Sequence, residues 1–219
     1  MSQSIEAEAA KRVEHYATAM IANRFSETSH SSVHAIKGTA EGQQNEYKGM
    51  PLQWNPGSPI SARTLILAAE NRMGQINEAI LICAPPSTRK PVAELSLTDI
   101  EVMVNDHIKG WFLLVKELSL IFRVRQSGTL ALVYSDVSAG GGRDDTADIL
   151  GPAAHASFQA FTRSILQSAQ AEPYITLGFS CTEPGAEAGF ASYIFKILDE
   201  GNKRNKGKLH KYGKLSFLK

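Results

Sequence analysis

Cysteine is scarce in this chain: Cys83 and Cys181 are the only two in 219 residues. Their spacing fits no metal-ligand pattern and both stand among apolar residues, which predicts two buried thiols and no metal. Long hydrophobic runs are missing as well. Nothing approaches the ~20 apolar residues that a bilayer span requires, and the polar, acidic start Met1-Ser-Gln-Ser-Ile-Glu-Ala-Glu8 has no signal-peptide core. Charge of one sign is also lacking. Lys and Arg total 23 against 22 for Asp and Glu, so neither nucleic acid nor an anionic membrane is an expected partner. What is present, 43% hydrophobic and 21% charged residues, is ordinary for a globular chain with its own core. The expectation is one cytoplasmic domain spanning residues 1–219.

Periodicity then divides the chain. Residues 5–25 are alanine-rich, with Ala9, Val13, Tyr16, Ala17, Met20 and Ile21 at helical spacing. Residues 33–37 read as a short strand, and residues 50–54 as an edge strand, because Pro51 cannot donate a ladder hydrogen bond. After an Asn-Pro-Gly-Ser-Pro loop, Ser61 is a candidate cap for a helix ending near Arg72. Residues 79–83 form a continuous apolar run, as in a strand covered on both faces. A long helix from Thr98 to about Val124 follows, then a buried strand at 130–134 and a helix at 153–169. A strand at 174–179, a helix at 190–198 and a last strand at 208–212 complete the pattern. This alternation suits right-handed crossovers and a parallel sheet.

From about Met50 onward the order of elements resembles the short-chain dehydrogenase/reductase family. Asn71-Arg-Met-Gly-Gln-Ile-Asn77 with Ala79-Ile-Leu-Ile-Cys-Ala84 looks like that family's helix end, glycine turn and central strand. Val104-Asn-Asp-His-Ile-Lys-Gly-Trp-Phe112 looks like its long helix. Gly128 to Ser135 is similar to the strand that delivers a catalytic serine, and Ala156 to Ile165 to the helix continuing from its Tyr-x-x-x-Lys motif. Pro173 to Gly185, with Glu183-Pro-Gly185, resembles the strand and turn near the nicotinamide. The resemblance implies a Rossmann-like α/β sandwich of three layers with a mostly parallel sheet. It covers about three quarters of the chain and leaves residues 1–50 as a divergent, truncated N-terminal segment.

The same resemblance implies which residues would carry chemistry. The family uses a tyrosine as general acid/base, a lysine that lowers its pKa, a serine that orients the carbonyl and an asparagine behind them. Ser135 falls on the serine position. His107 best matches the asparagine, with Asn105 one register away. Gly151 stands where the tyrosine belongs, and His155 where the lysine does. On the cofactor side Gly38-Thr-Ala-Glu-Gly42-Gln-Gln44 is the nearest glycine motif, with Ala84 at the end of the central strand; two glycines fit and Gln44 holds the third place. In that alignment residues 33–37 occupy the sheet centre, since an empty central slot would leave buried backbone unpaired.

Glycine offers no proton, and losing a general acid/base alone costs a factor of ~10²–10⁴. The leading expectation is therefore a pseudoenzyme: a short-chain dehydrogenase-like protein kept for binding or oligomeric assembly, without a cofactor. The alternative is an NAD(P)-dependent oxidoreductase with substitute groups, for example His155 or Tyr134 as proton donor. A nucleophile arrangement of Ser135, His155 and Asp136 lacks the Gly-x-Ser-x-Gly elbow. The glycine-rich stretch at 140–145 and the basic stretch from Lys203 through Lys208, Lys211 and Lys214 to Lys219 read as solvated surface. The apolar excess of helices 98–124 and 153–169 implies a homo-oligomer built through them, and a small molecule in the crevice beyond the strand ends is a third reading.

Overall fold

The computed structural model describes residues 4–5, 8, 18–23, 31–37, 50–136, 148–201 and 203–213. Along the chain come β1 (Thr18–Asn23), β2 (Ser31–Lys37), β3 (Met50–Trp54), α1 (Pro59–Met73) and β4 (Glu78–Cys83). Then follow α2 (Leu97–Val104), a π turn (Asn105–Lys109), α3 (Gly110–Arg125), β5 (Thr129–Ser135) and α4 (Leu150–Ser168). The chain continues through β6 (Ile175–Cys181), α5 (Glu187–Asp199) and β7 (Leu209–Tyr212). The strands form one sheet in the order β3-β2-β1-β4-β5-β6-β7. β2 runs antiparallel to both neighbours, and every other pairing is parallel. The Rossmann-like α/β architecture with a mostly parallel sheet is present.

Two apolar layers sandwich the sheet. One joins Leu81, Leu130, Leu132 and Tyr134 to α1, α3 and α4. The other joins Ile80, Ile82, Ala131, Val133 and Phe179 to α5 and to Ile5. Every residue of β4 is buried, which is why its sequence is a continuous apolar run rather than an alternating one. Cys83 and Cys181 are both buried free thiols, and Trp54 and Trp111 both belong to the first layer.

The N-terminal third departs from the sequence reading. Residues 18–23, placed inside a helix spanning 5–25, are strand β1, which pairs along β4 from Ala19 with Glu78 to Asn23 with Ile82. β2, expected at the sheet centre, is one place in from the edge, and β1 fills the slot beside β4. A short apolar run does not discriminate helix from strand by itself; the open edge of β4 decides, because its backbone groups need partners. Ser4, Ile5 and Glu8 are helical, and Ile5 is completely buried in the second layer. The edge position of β3 is as expected.

Local signals set the helix boundaries. Ser58, not Ser61, caps α1: its hydroxyl accepts from the Ser61 N–H and Pro59 takes the first helical position. Ser96 and Asp99 make a reciprocal capping box at α2, and Lys90 holds Asp99 at 2.7 Å. α3 ends on Gln126 in the left-handed region. Gly128, with φ +137, lies against Phe122 so closely that a β-carbon would overlap the ring. Glu78 opens β4 almost wholly buried, with Oε2 lacking a hydrogen bond; burial pushes its carboxyl up to about 8.

Candidate functional site

The carboxyl ends of the parallel strands define the crevice where open α/β sheets take ligands. The chain turns outward in both directions at the β1–β4 pair, so this is the topological switch point. Ala84, exposed, is the first residue beyond β4. Ser135 closes β5 beside Cys181 of β6. The Asp136 N–H donates to the Cys181 carbonyl at 2.7 Å, and its Oδ1 accepts from the Gln159 amide of α4.

Alternation along β5 separates two neighbours. Leu132 and Tyr134 face the layer containing α4, whereas Ala131 and Val133 face the layer containing α5; Ser135 follows the second set. It is accordingly Tyr134 that meets His155, ring edge to ring face with centroids 5.7 Å apart. Tyr134 is fully buried. Its hydroxyl has no hydrogen bond, and the Ser180 hydroxyl, its cross-strand neighbour, approaches without completing one. Burial first and the Asp136 carboxylate second hold this phenol above the ordinary tyrosine range, outweighing the opposing Arg163. His155 Nε2 is likewise buried without a partner.

Gly151 sits in the first turn of α4, one turn before the helical start expected at 153. Its N–H donates to Asp148 Oδ1 at 3.0 Å, Asp148 standing one residue before the N-cap position at Ile149. A β-carbon on Gly151 would lie 2.5 Å from Asp148 Oδ2 and 3.0 Å from the Pro86 carbonyl oxygen. The loop after β4 and the Asp148 carboxylate thus crowd the volume a side chain would need. A backbone bridge between Arg89 and Asp148 ties the same two segments together.

His107 is buried in the π turn that interrupts the long helix, and α4 packs against that turn. Such turns concentrate at functional sites; here packing supplies a cause. Gly110 ends the turn beneath Pro56, where a β-carbon would come within 2.7 Å of the proline ring. Asn105 turns its side chain to Gly57 in the loop after β3. No sequence signal distinguishes Tyr134 and Ser180 from ordinary strand residues.

Gly38 and Gly42 fall outside the described residues. Lys37, one bond before Gly38, pairs with Thr18 at the start of β1. Lys37 therefore lies at the opposite end of the strands from Ala84. β1 itself ends at Asn23, and β2 returns antiparallel from Ser31. Among the described residues no cluster of three or more His, Cys, Asp or Glu side chains is placed to hold a metal. None of their helices is long and apolar enough to cross a membrane.

Solved structures with this arrangement are known. A short chain dehydrogenase from Bacillus anthracis superposes with a TM-score of 0.58 at 13% identity, covering 73% of this chain and 72% of that one. The fold is shared with short-chain dehydrogenases. A second such enzyme, from Mycobacterium smegmatis, gives 0.57 at 15% identity over 74% and 68% of the two chains. Halohydrin dehalogenase bound to ethyl (2S)-oxiran-2-ylacetate gives 0.56 at 12% identity over 68% and 72%. A dehalogenase and two dehydrogenases on one scaffold illustrate why fold alone does not select a reaction. No protein-family model matches the sequence, and no curated protein does.

Proposed function

We propose that this chain is a short-chain dehydrogenase-like pseudoenzyme, retained for binding or assembly and without hydride-transfer activity. The observation that carries the reading is the crowded position at Gly151. The first turn of α4 has no acid there, and a side chain would have to displace the Asp148 carboxylate and crowd the Pro86 carbonyl oxygen. The cofactor side supports the reading: β2 runs antiparallel to β1, where a dinucleotide cradle would call for a crossover to a parallel strand.

The edge contact between Tyr134 and His155 favours a rival reading, an oxidoreductase with Tyr134 as substitute donor. Two facts weigh against it. The phenol is displaced upward, the reverse of the activation a tyrosine general base needs, and its side chain is sealed from solvent. The test is turnover. Purified protein should leave NADH and NADPH unoxidised across a panel of ketones; oxidation at enzymatic rates that Ser135→Ala abolishes would defeat the proposal.

Assembly as a homo-oligomer through α3 and α4 belongs to the same proposal. Trp111, Val115, Leu118 and Phe158, whose apolarity suggested an interface, are core residues. Phe112, Leu120 and Val124 remain exposed on α3, Val124 at 85%, and Phe112 leans on Phe161 of α4 at 4.3 Å. Sedimentation velocity should find a dimer or tetramer that Val124→Glu dissociates.

A further inference from the structure

A cavity of about 240 Å³ opens between α3 and α4, over the start of β6 and away from the crevice at its end. Its polar wall is largely self-satisfied. Arg123 and Glu172 pair through two contacts of 2.5 and 2.6 Å, and the Tyr174 hydroxyl donates to Ser119 Oγ at 2.9 Å. Three donors are left over. Lys116 is part of the lining and has no ion-pair partner among the described residues. Ser119, having accepted from Tyr174, still has its own proton to give. Thr176 forms part of the lining, fully buried, with a hydroxyl that has no hydrogen bond. Ser168, whose hydroxyl donates to the Ile165 carbonyl at 3.0 Å, and the hydrocarbon of Leu120 and Ile165 complete the wall.

One cation, two neutral donors and an apolar wall specify a small amphipathic anion. The Arg123–Glu172 pair is neutral as a unit, which leaves Lys116 as the lining's one uncompensated charge and matches a monoanion better than a doubly charged phosphate ester. The volume equals roughly eight water molecules at ~30 Å³ each, so the occupant is metabolite-sized. We propose that this cavity is a binding site for a short-chain monocarboxylate, its carboxylate between Lys116 and Ser119 and its chain along Leu120 and Ile165. The inference is independent of the crevice reading.

Hexanoate is the probe, titrated calorimetrically into the 219-residue chain with 1-hexanol as the uncharged control. The self-association proposed above uses the same face, so titrations are run where sedimentation shows one species. Saturable 1:1 binding of hexanoate is expected, with 1-hexanol weaker and NADPH without effect on the titration. Lys116→Gln should weaken binding about tenfold, the worth of a charge-assisted hydrogen bond. Thr176→Val should weaken it about threefold while leaving the fold at least as stable, since the hydroxyl it removes is unpartnered. Absence of saturable binding at millimolar hexanoate, or binding that neither substitution weakens, overturns the proposal.

Discussion

Glu78→Gln should stabilise this protein near neutral pH and leave it almost unchanged in mild acid. Glu78 is the first residue of the central strand, 5% exposed, with one carboxyl oxygen lacking a partner. Desolvation moves its pKa from 4.5 to about 8. Between those values the unfolded chain is ionised while the folded chain holds the proton, so folding takes up a proton and stability falls as pH rises. The contribution is whole below the unfolded pKa and is lost as pH climbs through the folded one. The slope is about 1.4 kcal/mol per pH unit, so the loss reaches about 3 kcal/mol by pH 7. Glutamine keeps the shape without the proton linkage. Urea denaturation of both proteins at about pH 5, 7 and 8 should show a gap in favour of the variant that widens with pH. A constant gap across that range, or one that narrows, refutes the reasoning.

Three further outcomes follow from packing. Gly128→Ala forces a β-carbon into Phe122 at a φ of +137 and should cost about 2–4 kcal/mol in a denaturation assay, where a loss near zero would contradict the geometry. Gly151→Tyr combined with His155→Lys restores the family's residue types yet should not restore ketone reduction, and should destabilise by about 1–3 kcal/mol, because Asp148 and Pro86 crowd the space. Tyr134→Phe removes a buried hydroxyl that has no partner, so thermal unfolding should show equal or greater stability; a loss above about 1 kcal/mol would mean the hydroxyl is bonded after all.

Legibility in the sequence tracked how local the determining interactions are. The apolar run of β4 is a short-range signal, and the elements from β3 to β7 fall close to where periodicity puts them, although the cap of α1 is Ser58 rather than Ser61 and a π turn divides the long helix. β1 did not, because Ala19, Met20 and Ile21 suit either a helix or a strand, and only pairing to β4, some 60 residues away in sequence, selects one. The direction of β2 is equally non-local, and it sets Lys37 beside the start of β1 rather than beside its carboxyl end. At the site, the glycine at 151 was visible as a missing acid. That the same position is crowded by a carbonyl from the loop after β4 and by the Asp148 carboxylate was not, since it depends on two segments meeting across the crevice. The opposite facing of Tyr134 and Ser135 follows from strand alternation once the strand's core face is known.

The proposal that this scaffold lacks both proton donor and dinucleotide cradle stands or falls on nucleotide binding. In isothermal titration of the 219-residue chain with NADPH, and separately with NADH, no saturable heat is expected at millimolar concentration. Stoichiometric micromolar binding of either one would contradict it.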